Sequence, residues 1–269
     1  MKVRPSCFAG QFYEGTKERL RDQVLRCLPK TGLPQQEVLG AVVPHAGFLY
    51  SGEVAGSVYA SIHLPSTCFL LGPNHTGEGV PLSLSAFDVW ETPLGQSEVD
   101  HEFAEALLEE VPSLKQDEAA HQWEHSLEVQ LPFIQHLAET VKIIPVILGL
   151  QPVQIYQKVG EALARVIQGF PKKVLVIASS DMTHYEPQEV VQEKDREAIE
   201  SILALDETQL MKRIKERNIS MCGYAPTVAM LTCVKRLGAK RGRLVQYQTS
   251  AAGSGDYRRV VGYAGIVLQ

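Results

Sequence analysis

Two histidines, His45 and His75, close apolar runs in the same way. Ala41-Val42-Val43 stops at Pro44-His45-Ala46-Gly47, and Cys68-Phe69-Leu70-Leu71 stops at Gly72-Pro73 ahead of Asn74-His75-Thr76-Gly77. Proline removes a backbone donor and glycine permits positive φ, so each run must end there and present its histidine at a strand terminus, not in a core. A third run, Val174 to Ala178, breaks at Ser179-Ser180-Asp181, with His184 in the same loop. Neutral imidazole is the commonest nitrogen ligand of divalent first-row metals, which often take two histidines with a carboxylate or thiolate. On residue types, His45 and His75 supply two ligands of a shared site, and Asp181, His184 and Cys222 are the candidates for a third.

Cys222 lies in Ser220-Met221-Cys222-Gly223, just ahead of the helical run from Ala225 to Gly238. Buried cysteines are usually inert, but a helix N-terminus lowers a thiol's pKa, so this position favours thiolate. A competing motif is His121-Gln122-Trp123-Glu124-His125, which matches the inverted zincin pattern H-x-x-E-H of zinc metalloproteases. There, His121 and His125 share a helix face and the glutamate acts as base. The pattern specifies few positions, and Pro132 shortens the helix. A structural role, or a supporting one beside another metal site, is therefore the expectation for these two histidines.

The elements around these residues alternate strand and helix. Thr16 is a plausible N-cap for a helix whose Leu20, Val24, Leu25 and Leu28 share one face, and a connector from Pro29 to Pro34 leads to the strand before His45. A helix N-capped by Ser51 follows, with Ala55, Gly56 and Ala60 allowing close approach to the sheet. The strand-loop-helix-strand order makes the two histidine-bearing strands parallel neighbours with their carboxyl ends on one edge. Residues 80–100 read as short strands with a turn at Thr92-Pro93-Leu94-Gly95, and residues 101–111 as a helix. Asp117 to Leu137 carries a helical stripe of Leu127, Leu131, Ile134 and Leu137, with Pro132 as a kink or restart. Then come a strand from Val141, a helix ending near Gly169, the strand before Ser179, and a long helical stretch from Gln188 to Arg217 broken near Asp206. Two strands joined by a Gly/Ser-rich turn finish the chain. The fold expected is a single α/β domain over residues 1–269, with a mostly parallel central sheet flanked by helices.

Bulk properties exclude several classes. The 269 residues are 45% hydrophobic and 21% charged with a net charge of −5, which is ordinary for a folded water-soluble domain. The one basic cluster, Lys235 to Arg243, is explained by a solvated helix end and turn, so nucleic acid is not expected as a partner. The longest apolar stretches, such as Val141 to Leu150, are about half of what a bilayer span needs, and the N-terminus lacks a signal peptide's apolar core. With five irregularly spaced cysteines the chain is read as cytoplasmic, with Cys7, Cys27, Cys68 and Cys233 as packing residues.

Taken together, Arg4 to Tyr13 (RPSCFAGQFY), VVPHAGFLYSG, LLGPNHTG, WETPLGQSEVD, EHSLEVQLPF, IPVILG, SSDMTHY and MCGYAP resemble the Memo family, in order over nearly the whole chain. Glu14 stands where the family's FAG-x-FYP segment usually has proline. The resemblance implies a fold similar to class III extradiol non-haem iron dioxygenases, with a vestibule at the strand ends. It also implies a metal site of His45, His75 and Cys222, the cysteine standing where those dioxygenases carry glutamate. Asp181, His184, His121 and His125 match polar residues of the vestibule; on their own chemistry His184 is the candidate acid or base, with Asp181 and His121 or His125 orienting it or a bound water. A thiolate is softer than a carboxylate, so iron or copper, and also zinc, become plausible metals. The function expected is metal-dependent redox or oxygen chemistry on an unidentified substrate. The alternative class is a binding module for a peptide or small-molecule ligand, and relatives in the family are also associated with a radical-SAM partner protein.

Overall fold

Apolar runs without alternation need cover on both faces, which in an α/β chain comes from crossover helices. A computed structural model describes residues 1–30, 34–138 and 140–269; residues 31–33 of the connector between Pro29 and Pro34 lie outside them. The first half contains β1 (Val3–Arg4), α1 (Lys17–Cys27), β2 (Gly40–Val43), α2 (Phe48–Ala60), β3 (Thr67–Pro73), β4 (Leu82–Ser85), β5 (Val89–Thr92), β6 (Gly95–Glu98), α3 (His101–Glu110) and β7 (Lys115–Asp117). Three short helices, α4 (Ala119–Gln122), α5 (His125–Glu128) and α6 (Leu131–Leu137), precede β8 (Lys142–Leu148), α7 (Val153–Gln168), β9 (Val174–Ser179) and β10 (His184–Glu186). The chain ends with α8 (Gln188–Leu203), α9 (Glu207–Arg217), α10 (Tyr224–Arg236), β11 (Gly242–Thr249), α11 (Ala251–Ser254) and β12 (Val260–Leu268).

The main sheet has nine strands in the order β10-β12-β2-β9-β3-β8-β4-β7, with β11 paired to β12. Its centre, β2-β9-β3-β8, is parallel, whereas β12 joins β2 and β4 joins β8 antiparallel. The sheet is therefore mixed around the expected parallel core. β2 and β3 do end on the same edge, but they are not neighbours: β9 lies between them and pairs with both. That insertion places the Ser179–Asp181 turn between His45 and His75.

Other local expectations need correction. On α1, Leu20 and Val24 are buried, but Leu25 is 49% exposed and Cys27 takes the inner position. α2 begins at Phe48, so Ser51 lies inside it, and its hydroxyl donates to the Ala46 carbonyl. Gly56 opens α2 to α1 and not to the sheet, since a Cβ there would sit 2.2 Å from the Cys27 carbonyl oxygen. The segment from Asp117 to Leu137 is three helices, and Pro132 occupies the first turn of α6, where its missing N–H costs nothing. The expected break near Asp206 is present, with its carboxylate capping α9 through the Gln209 N–H at 2.8 Å. No described helix is long and apolar enough to cross a membrane.

Candidate metal centre

The carboxyl ends of β2, β9 and β3 deliver His45, Asp181 and His75 to one rim of the sheet, and the first residue of α5 adds His125. Among the described residues, His45, His75 and His125 are the one group whose ligand atoms all lie within 4.8 Å of one another. His75 stacks on His125 with centroids 4.5 Å apart, and His45 meets both edge-on at 5.1 and 5.3 Å. His45 is buried, His125 half-buried, and His75 opens to solvent. They stand in a cavity of about 760 Å³ whose wall also includes Asp181, His184 and Cys222.

Hydrogen bonds decide which ring nitrogens are free. Glu124 clamps His75 twice: Oε2 accepts the main-chain N–H at 2.6 Å, and Oε1 faces Nδ1 at 2.9 Å. Oε1 also accepts the Ser126 N–H at 2.9 Å. Burial favours a neutral Glu124, but the hydrogen bond and charge of His75 outweigh it, bringing the carboxyl down to about 2. An ionised carboxylate only accepts, so Nδ1 of His75 carries hydrogen and Nε2 has the free lone pair. On the other side, His45 Nδ1 contacts the Ser179 hydroxyl at 2.9 Å, and its main-chain N–H donates to Asp181 Oδ1 at 2.8 Å.

Electrostatics favour neutral imidazole at His45 and His125. Burial, then the charge of His75, holds His45 well below its ordinary range, and burial with the charge of His45 brings His125 down to about 3. Burial pushes His75 down as well, but Glu124 more than compensates, so its pKa is raised. His45 and His125 kept neutral in a half-buried cluster, with His75 backed by a carboxylate, form a donor set that fits a divalent transition metal.

A sequence model of the family described as Memo-like protein matches residues 4–267. The chain belongs to the Memo-like family. It is 45% identical over 268 residues to a MEMO1 family protein of Methanosarcina barkeri, covering 99% of this chain and 100% of the relative. It is also 39% identical over 286 residues to one of Methanocaldococcus jannaschii, covering 100% and 99%. An uncharacterized protein of Escherichia coli K12 has a similar fold, with a TM-score of 0.58 at 10% identity, over 86% of this chain and 100% of that one.

In this Memo-like chain the mutually close set is His45, His75 and His125, whereas the resemblance implied His45, His75 and Cys222. Cys222 borders the set through His45 alone: its sulfur lies 3.2 Å from His45 Nε2 and accepts the Asp181 N–H at 3.4 Å. Its pKa runs opposite to the helix N-terminus expectation. Burial, reinforced by the Asp181 charge, pushes the thiol far above its usual range. His184 donates Nδ1–H to the Ser220 carbonyl at 2.9 Å, and a carbonyl cannot donate, so Nε2 is left as an acceptor. Asp181 is 5% exposed, and burial raises its carboxyl.

The zincin arrangement is absent. Trp123 and Glu124 interrupt the helix, putting His121 on α4 and His125 on α5. His121 is fully buried against Trp90 and does not line the cavity, and among the described residues neither of its ring nitrogens has a hydrogen-bond partner. The glutamate of that motif instead orients His75. Its role, and that of Ser179, went unread because both partners are distant in sequence; the only local signal was a glutamate adjoining His125.

Proposed function

We propose that the protein is a metal-dependent catalyst of redox or oxygen chemistry on a small ligand admitted to the strand-end cavity. The observation that carries this reading is the convergence of His45, His75 and His125 at the cavity, with the His75 and His45 Nδ1 atoms tied back by Glu124 and Ser179. His45, His75 and His125 would hold the ion, iron or copper by preference and zinc as a further candidate. A bound ion of that kind supplies a Lewis-acidic, redox-capable centre.

The chain's own groups have separable tasks. Glu124 holds the His75 ring and balances cationic charge beside it. His184, with Nδ1–H committed to the Ser220 carbonyl, offers Nε2 to accept a proton from a ligand group on the cavity wall. Asp181 fixes the His45 main chain. Phe12, Tyr50, Tyr185 and Tyr263 give the cavity an aromatic lining that would hold a flat or apolar ligand body and exclude water from its inner end.

The test is oxygen uptake by protein reconstituted anaerobically with iron(II) or copper, with phenolic and thiol compounds as probes, beside His184→Gln. Uptake that depends on the ion and falls at least tenfold in the variant supports the reading; ion-independent behaviour counts against it. The aromatic lining also favours a second reading, a binding module for a small acid or peptide. In that case, calorimetric affinity would survive removal of metal by chelator.

A further inference from the structure

Ser179 is the last residue of β9 and fully buried, and three polar groups converge on its hydroxyl. It donates to the Ser126 carbonyl at 2.7 Å, and it receives an N–H of the Gln130 amide at 2.9 Å. The same amide nitrogen donates to the Pro44 carbonyl at 3.0 Å, while its oxygen accepts from Tyr59 at 3.0 Å. A carbonyl only accepts, so the Pro44 contact fixes which end of Gln130 faces Ser179. A hydroxyl has one hydrogen and two lone pairs. The Ser126 carbonyl takes the hydrogen, Gln130 takes one lone pair, and one lone pair remains for His45 Nδ1 at 2.9 Å.

We propose that Ser179 is a positioning residue: locked by Gln130 and the Ser126 carbonyl, it fixes His45 as the Nδ1–H tautomer and keeps Nε2 unprotonated toward the cavity. The Cys222 thiol agrees with this assignment. Its sulfur lies 3.2 Å from Nε2, nearer than the Asp181 carbonyl at 3.7 Å, and an S–H directed to the nearer atom meets an unprotonated nitrogen. Two different devices thus orient two ligands, a buried carboxylate for His75 and a neutral hydroxyl for His45. The consequence for ion binding rests on the metal-centre reading above, but the tautomer itself does not.

Metal-free protein labelled with ¹⁵N at histidine, observed by two-bond ¹H–¹⁵N NMR, reports the tautomer directly. Wild type is expected to show His45 with Nδ1 protonated. Ser179→Ala removes the acceptor and should move His45 toward the Nε2–H form, with zinc affinity falling about 10- to 100-fold in a competition titration; Ser179→Thr should restore both. An Nε2–H His45 in the wild type overturns the proposal whether or not the variant folds, as does an unchanged Nδ1–H form in folded Ser179→Ala. A shifted tautomer with unaltered zinc affinity supports the positioning role and overturns the metal-centre reading.

Discussion

Glu124 stands at the centre of the residue-scale chemistry. Its two oxygens meet His75 twice and the Ser126 N–H once. Glu124→Gln keeps the shape but has one accepting oxygen and no charge. It should lower the His75 pKa from its raised position and weaken zinc binding about 10- to 100-fold, read by NMR titration and competition. His121 gives a second prediction. Burial, with the Arg4 charge, brings it down to about 3, whereas an unfolded chain protonates it near 6.5. Its folded pKa is depressed, so the unfolded state binds more protons below about 6.5, and stability falls as pH drops from there toward 3. His121→Phe should therefore flatten the pH dependence of urea unfolding between pH 6 and 4 by about 1.4 kcal/mol per pH unit. An unchanged slope would show that the buried imidazole is not neutral. The sequence displayed His45, His75, Asp181 and His184, because each follows a break in an apolar run, and Cys222, because it stands just ahead of a helix start. It hid the tasks of Glu124 and Ser179, whose partners are 49 and 134 positions away.

At the element scale, the N-terminal segment is held to the α4–α5 region by one buried ion pair. Arg4 Nη1 meets Glu128 at 2.6 Å with both side chains fully buried, and Arg4 also donates to the His121 and Glu124 carbonyls. Glu128 further accepts from the Cys7 and Phe8 N–H groups and from Tyr13. This strap sets Phe12 against His125, with centroids 4.6 Å apart. Arg4→Met leaves a buried carboxylate without its cation and should cost about 3–5 kcal/mol in chemical denaturation, with a looser cavity wall. A loss under 1 kcal/mol would mean that the pair is replaceable. The α10 start is equally constrained: a Cβ on Gly223 would lie 2.3 Å from the Ser179 carbonyl oxygen and 2.4 Å from Ser180 Cβ. Gly223→Ala should displace Cys222 from His45 and raise Cys222 alkylation measurably by mass spectrometry, while leaving alkylation of the half-buried Cys7 unchanged. The helix periodicities that stand alone, α7, α8 and α9, were legible from the chain. The region from Asp117 to Leu137 was not, because its stripe of Leu127, Leu131, Ile134 and Leu137 reads as one helix whereas the backbone leaves the helix between α5 and α6, and before that at Trp123 and Glu124, where Glu124 reaches His75.

For the whole molecule, the order of the sheet matters more than its strand count. Local order places β2 beside β3, but β9 enters between them from far along the chain and brings Ser179 and Asp181 with it. Nothing in the short crossover between the two histidine strands specifies that insertion; pairing partners are set by the assembled core. The same edge then receives α5 and the Cys222 turn, so one rim holds the three histidines with Asp181 and Cys222. One proposal underlies all of these: that His45, His75 and His125 hold a metal ion. It is tested most directly by metal content after reconstitution with iron(II), copper or zinc and desalting, measured by plasma mass spectrometry on wild type and on His75→Ala, His125→Ala and His121→Ala. Near one ion per wild-type chain, loss in the first two variants and retention in folded His121→Ala are expected. Full occupancy in folded His75→Ala and His125→Ala, or no ion in wild type with any of the three metals, would contradict it.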